Sequence, residues 1–161
     1  MTEVLAKQAA AAADRYFHEG FNCAQAVLRA VAEARGQECP QCIPAIALAM
    51  GGGVGHTGCV CGAATGGVMA IGLATDRAVT GPQREKKEEA HKVAGRFIRQ
   101  FAAEFGSPDC REILGFDWSE KNAMDRFRKE GAMDAKCTPC VRWAAAEATR
   151  VVGDILDGRT P

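Results

Sequence analysis

The sequence predicts an all-α, single-domain helical bundle of about six to seven helices built around a central glycine-rich helix. Three observations predict it. Apolar residues recur at helical spacing through most of the 161 residues. Gly and Pro fall where such helices would stop or start, and no stretch alternates apolar with polar residues as a half-buried strand does. A chain of this length, read as one domain over 1–161, buries about two-thirds of its extended surface and needs no disulfides to do so.

The elements follow in order. Leu5, Ala9, Ala12 and Tyr16 keep helical spacing, and Gly20 supplies a stop. Asn22 caps a second helix with Cys23, Val27, Ala30, Val31 and Ala34 on one face and Gly36 behind it. Pro40 opens a short third helix through Ile43, Ala47 and Met50, against which Pro44 counts. Cys61 to Ala74 forms the fourth. Gly81-Pro82 breaks the chain before a long amphipathic helix with Val93, Phe97, Phe101 and Phe105 inside, and its mixed-sign run over 84–89 is a solvated face. Ser107-Pro108-Asp109 opens a short helix carrying Cys110, Ile113 and Leu114. Residues 119–130 make a weaker, polar helix. Thr138-Pro139 opens the last, with Val141, Ala145, Ala148, Val152 and Ile155 inward.

Composition excludes several function classes. Twenty basic and twenty acidic side chains cancel, so no basic field draws in nucleic acid. No apolar h-region follows a basic start, so the expected location is the cytoplasm, where thiols stay reduced. Between Cys39 and Thr75 there is no Asp, Glu, Lys or Arg, and half of the glycines lie between Gly51 and Gly72. That run is too poor in large apolar residues for stable membrane insertion. Gly58, Gly62 and Gly66, spaced by four, instead suit close approach of a neighbouring helix. Gly53-Val54-Gly55-His56-Thr57-Gly58 matches a dinucleotide fingerprint in form, but an alanine-rich segment precedes it rather than a strand, so no nucleotide is expected.

Eight cysteines carry the chemistry, at 23, 39, 42, 59, 61, 110, 137 and 140. In a reducing compartment they point to metal or redox work rather than a disulfide framework. Cys23 follows the cap Asn22, Cys61 follows the glycine run, Cys110 follows Ser107-Pro108-Asp109, and Cys137 and Cys140 bracket Thr138-Pro139. Each stands at a helix start, where free N–H groups and the helix dipole favour a thiolate of lowered pKa. Any one of them taken alone reads more simply as a small core residue, but four helix starts each carrying a cysteine favour a shared function. Cys39-Pro40-Gln41-Cys42 and Cys137-Thr138-Pro139-Cys140 are CxxC pairs, either local dithiols or two halves of a zinc site. No CxxCH is present, so no haem is expected. Cys59 and Cys61 sit two apart and point apart on a helix, which places Cys59 on the loop and Cys61 in the first turn. His56 is a loop histidine, solvated on base rates, with accessory ligand or proton donor as its functional reading.

Phe21-Asn22-Cys23-Ala24-Gln25-Ala26-Val27 and the stretch from Gly51-Gly52-Gly53 through Cys61-Gly62-Ala63-Ala64-Thr65-Gly66 resemble the signatures of the redox-active four-cysteine family written C_GCAxxG_C_C. Cys110-Arg111-Glu112-Ile113-Leu114-Gly115 is similar to its third motif, and the final cysteine before Val141-Arg142 to its fourth. The resemblance spans the chain beyond the first helix. It implies a small helical protein with four key cysteines, here Cys23, Cys61, Cys110 and Cys137, with Cys140 a rival for the last place. Cys39, Cys42 and Cys59 fall outside that pattern, as candidates for an added dithiol or metal function.

Three functions are weighed. Four thiolates converging at helix starts suit an iron–sulfur cluster for electron transfer with an unidentified donor or acceptor. Second comes a metal-free thiol–disulfide oxidoreductase, and third a structural or sensory zinc protein. If the chain is an enzyme, it is an oxidoreductase acting through cysteine. The site closes either within one chain or across a homodimer.

Overall fold

The computed structural model describes residues 1–37 and 42–159. Its helices are α1 (Thr2–His18), α2 (Cys23–Ala34), α3 (Cys42–Ile46), α4 (Gly62–Ala78), α5 (Gln83–Phe105), α6 (Cys110–Leu114), α7 (Ala123–Lys129) and α8 (Thr138–Leu156), with a π-helical turn at Met133–Cys137. Among the described residues there are thus eight α-helices, rather than six or seven, and no strand. The nearest thing to a sheet is one isolated antiparallel bridge, Val60 to Asp109. No helix among them is long and apolar enough to cross a membrane.

Helices α1, α2, α4 and α8 pack on one another, and α5 lies against α4 and α8. Small residues set how closely they approach, since interaxial distance follows side-chain size. Ala6, Ala9 and Ala13 of α1 and Ala144, Ala145 and Ala148 of α8 are buried. The centre of this packing is α4. A Cβ on Gly66 would stand 2.5 Å from the Ala24 carbonyl oxygen of α2, and one on Gly67 would stand 2.5 Å from the Phe97 ring of α5. Phe97 and Phe101 in turn meet Trp143 of α8, each with ring centroids 5.7 Å apart. The charged start of α5 stays largely outside, and its Lys86 ties the helix to Asp76 of α4 at 2.9 Å.

The third helix differs from expectation. It ends at Ile46, and residues 47–49 form turns. The reason lies in α2: the Asn22 amide donates to the carbonyls of Ala47 (3.1 Å) and Leu48 (2.8 Å), and Gln25 donates to that of Pro44 (2.8 Å). The expected opening at Pro40 lies outside the described residues. Helix α4 runs four residues beyond Ala74, because the buried Thr75 hydroxyl donates to the Ile71 carbonyl at 2.8 Å and so enters the core satisfied.

Residues from α6 to the π-helical turn form a second, smaller core of Cys110, Leu114, Phe116, Ala123 and Ala132, with Trp118, Phe127 and Cys137 packed on it. It covers the helix starts of the main bundle. The π-helical turn is tied down from both sides. His18 of α1 contacts Asp134 at 2.9 Å, and Lys136 donates to the Leu114 carbonyl at the end of α6.

Candidate functional site

Cys23 opens α2 behind a complete capping box. The Asn22 side chain accepts from the Gln25 N–H at 2.9 Å, and the Gln25 side chain accepts from the Asn22 N–H at 3.1 Å. The same Asn22 holds the turn before the glycine run, so Gly51 and Gly52 are carried to the sulfur. The Gly52 N–H acts on the Cys23 sulfur in favour of its thiolate.

The run itself is a left-handed turn. Gly52, Gly53, Val54, Gly55 and His56 all have positive φ, between 59° and 72°. For Val54 and His56 that region costs about 1–2 kcal/mol each. Thr57 offsets part of it by donating to the carbonyls of Gly53 (2.7 Å) and Val54 (2.9 Å). Gly53 sits at the tightest crossing: a Cβ there would lie 2.5 Å from the Cys59 carbonyl oxygen and 2.8 Å from the Cys110 Cβ. This strained loop brings His56 over Gly52 and against Trp118, ring centroids 4.4 Å apart.

After the turn, 59–61 run beside 108–110. The Cys61 N–H donates to the Pro108 carbonyl (2.8 Å), and the Cys110 N–H to that of Cys59 (2.7 Å). Two cysteines far apart in sequence therefore become neighbours. Cys61 is the N-cap of α4 with no side-chain capping bond, and the N–H groups of Ala63 and Ala64 act on its sulfur in favour of the thiolate. Gly62 beside it leaves room for another cysteine, since a Cβ there would lie 2.3 Å from the Cys23 sulfur. Cys137 arrives last, at the junction of the π-helical turn and α8.

Cys23, Cys61, Cys110 and Cys137 all line one cavity of about 230 Å³. Phe17, Trp118, Met124 and Phe127 make its apolar wall, and Asn22, Gly51, Gly52 and His56 complete the lining. No lysine or arginine lines it. The buried indole Nε1–H of Trp118 has no partner in ordinary hydrogen-bond geometry and acts on the Cys110 sulfur in favour of its thiolate.

Sequence reasoning expected thiolates of lowered pKa at these helix starts. The opposite holds. Burial, then the charge of Cys61, pushes Cys23 up to about 12. Burial pushes Cys110 up to about 11, against the help of Trp118. A hydrogen bond with Cys140, then burial, raises Cys61; burial, then the charges of Cys23, Cys61 and Cys110, raises Cys137. Desolvation shifts a buried group by up to 3–5 units, more than a helix dipole returns. Arg111 favours the Cys110 thiolate and Lys136 that of Cys137, but both act less than burial does, and the four are neutral thiols at neutral pH.

The remaining candidates lie elsewhere. Cys140 is 1% exposed, in the first turn of α8, and does not line the cavity. Cys59 is exposed outside the cavity, with Arg111 Nη2 3.9 Å from its sulfur. Cys42 is disulfide-bonded and lines a separate apolar pocket with Leu28, Ile46 and Met69, so the described members of the two CxxC pairs do not meet at one site. Cys39 lies outside the described residues. Among the described residues, no group of three or more Cys, His, Asp or Glu side chains is placed to hold a metal ion. Sequence reasoning missed Phe17, Trp118, Met124 and Phe127; Trp118 and Phe127 belong to a stretch whose polarity hides its packing role.

A family model described as "putative redox-active protein (C_GCAxxG_C_C)" matches residues 21–151, which begins just before Cys23 and takes in every cysteine of the cavity. The chain belongs to the C_GCAxxG_C_C family. No curated protein and no solved structure matches it. The matched span leaves out most of α1, whose Phe17 closes one side of the cavity.

Proposed function

We propose that the cavity is a redox centre holding an iron–sulfur cluster on Cys23, Cys61, Cys110 and Cys137. One observation carries the reading: four cysteines from four separate helix starts line a single apolar cavity with no cationic side chain. Four thiols raised by burial and mutual repulsion release their protons only to a positively charged occupant, and metal binding supplies that exchange. A volume of about 230 Å³ is several times that of one water, which suits a polynuclear group better than a single ion. Such a cluster supplies one-electron transfer, and Cys₄ ligation serves both common types.

The chain's own part is to hold and tune. Gly52, Ala24, Ala63 and Ala64 offer N–H groups to the sulfurs of Cys23 and Cys61. Donors of this kind stabilise negative charge on sulfur and set the potential. Phe17 and Phe127 shield the cavity from water, and Met124 and the His56–Trp118 pair stand at its exposed edge. A metal-free exchanger built on a low-pKa surface thiol fits less well, since the cavity thiols are raised and the exposed Cys59 stands apart.

The test is anaerobic purification, then incubation with ferrous iron and sulfide, followed by iron and sulfide assay and the visible spectrum. Bound iron and sulfide in equal amounts with charge-transfer absorbance are expected, and Cys23→Ala and Cys110→Ala should each lower the retained iron. A colourless product with all four cavity thiols still free to alkylation would overturn the reading.

A further inference from the structure

We infer that Trp118 is the cavity's hydrogen-bond donor to anionic sulfur and, through that bond, sets the potential of the centre. The second half rests on the cluster reading above. The Trp118 Nε1–H is buried and has no hydrogen-bond partner among the described residues. Yet Trp118 lines the same cavity as Cys23, Cys61, Cys110 and Cys137. Native folds rarely keep such a donor unpaired, because nothing offsets its lost contact with water. The surroundings hold the indole where it is. Its ring meets those of His56, Phe116 and Phe127, with centroids 4.4, 5.6 and 5.4 Å away. The backbone is tied on either side of it. The Asp117 N–H donates to the Glu120 carboxylate at 3.0 Å, and the Ser119 N–H to that of Asp117 at 2.9 Å. Asp117 also pairs with Arg111 at 3.2 Å.

The acceptor follows by elimination along the cavity wall. Asn22 uses its side-chain oxygen in the cap of α2. The carbonyls of Gly51 and Gly52 take the N–H groups of His56 and Gly58, each at 3.1 Å. The His56 ring is tilted only 30° from the indole plane, so it covers the ring's face and not its N–H edge. Sulfur is what remains. A neutral thiol is a weak acceptor, and burial keeps the four cavity thiols protonated, so the donor stands unpaired beside them. A thiolate or a sulfide accepts far more strongly, since charge on one partner roughly doubles a hydrogen bond. Cys110 is the first partner: Trp118 packs on the small core that contains it and favours its thiolate.

A donor to sulfur stabilises the more negative, reduced state and so raises the potential. The indole releases no proton at ordinary pH, so its effect is the same across the range. Reduction adds one electron to the centre and moves no proton at Trp118. A role in packing alone gives the opposite sign on removal of the indole. A gap there admits water, which favours the more highly charged reduced state and moves the potential up.

Two measurements test the assignment. Parent and Trp118→Phe are reconstituted anaerobically with ferrous iron and sulfide and titrated with dithionite at several pH values. The variant is expected to keep its iron and sulfide, with a midpoint potential below the parent's by the same amount at each pH. An equal or higher potential in Trp118→Phe overturns the inference. The second measurement uses the parent without iron. Isotope-labelled tryptophan gives two indole signals, from Trp118 and Trp143, and the first is the one missing from Trp118→Phe. Cadmium takes the cavity thiols as thiolates and releases their protons. Its binding should move the Trp118 indole proton downfield and leave that of Trp143, which is not part of the cavity wall, in place. A Trp118 signal unmoved at full cadmium loading overturns the inference. If the parent binds no iron and sulfide, the cluster reading fails and the cadmium measurement decides the donor. The same measurement decides if only Trp118→Phe fails to hold them. A chain that takes up neither metal overturns both.

Discussion

Gly66→Ala tests the packing that brings Cys23 to the cavity. An added Cβ would stand 2.5 Å from the Ala24 carbonyl oxygen, 3.1 Å from its Cα and 3.2 Å from its carbonyl carbon. All three are backbone atoms of α2, so no side chain can rotate away. Relief requires α2 and α4 to part by roughly 0.5–1 Å, which opens the contacts beneath them; overpacking of this kind costs about 1–3 kcal/mol. Alanine returns up to about 1 kcal/mol through helix propensity. The net is a loss of up to about 2 kcal/mol, or up to roughly 8 °C in melting temperature for a chain of this size. Gly72, six residues on in the same helix, has nothing within 4 Å of a built Cβ, so Gly72→Ala keeps the propensity gain alone. Thermal denaturation of the two variants beside the parent should therefore move in opposite directions. If Gly66→Ala melts as high as Gly72→Ala, the close-approach argument is refuted.

Gly62→Ala drives a Cβ to 2.3 Å from the Cys23 sulfur, so iron retained after reconstitution should fall several-fold while the far-ultraviolet helix signal persists; unchanged iron would count against Cys23 as a ligand. Cys61→Ser should abolish iron retention and Cys59→Ser should leave most of it, read by metal analysis, and equal losses would make both sulfurs ligands. His18 is raised above 6.5, first by Asp134 and then by the Asp14 carbonyl. Its contribution is therefore complete below about pH 6.5 and fades as pH rises through the raised folded value. At this exposed pair it is worth under about 1 kcal/mol. Melting curves of the parent and His18→Gln between pH 5.5 and 8.5 should converge at the alkaline end. In metal-free protein the raised cavity thiols act at higher pH. Unfolded chains lose those protons near pH 9 and the folded state holds them to about 11 at Cys110 and about 12 at Cys23. Stability should fall across that window, and less steeply in Cys23→Ala.

Much of the bundle was legible because its signals are local. Asn22 followed by Gln25 three residues later is a capping box in sequence and in structure, and the Phe97, Phe101 and Phe105 stripe reads directly as the inner face of α5. What was not legible depends on contacts between segments. The third helix was overextended because nothing at Ala47 or Leu48 reveals that Asn22, a full helix earlier in the chain, takes their carbonyls. The glycine run was legible as permissive backbone, but not as a continuous left-handed turn that includes Val54 and His56.

The thiols show most clearly why a local reading fails. Position at a helix start is visible in the sequence and worth about 0.3–1 kcal/mol. Burial among three like groups is invisible there and shifts a pKa by up to 3–5 units. The larger effect decides, so Cys23 and Cys110 are neutral where their helix positions alone suggest thiolates. The same distinction settles where Cys137 and Cys140 point. Three residues apart, they would share a face on a regular α-helix. A π-helical turn ends at Cys137, held by His18–Asp134 on one side and by Lys136 on the Leu114 carbonyl on the other. Cys137 lines the cavity, and Cys140, buried inside α8, does not. The turn thus separates two cysteines that the sequence offers as rivals for one place, and only Cys137 reaches the cavity wall.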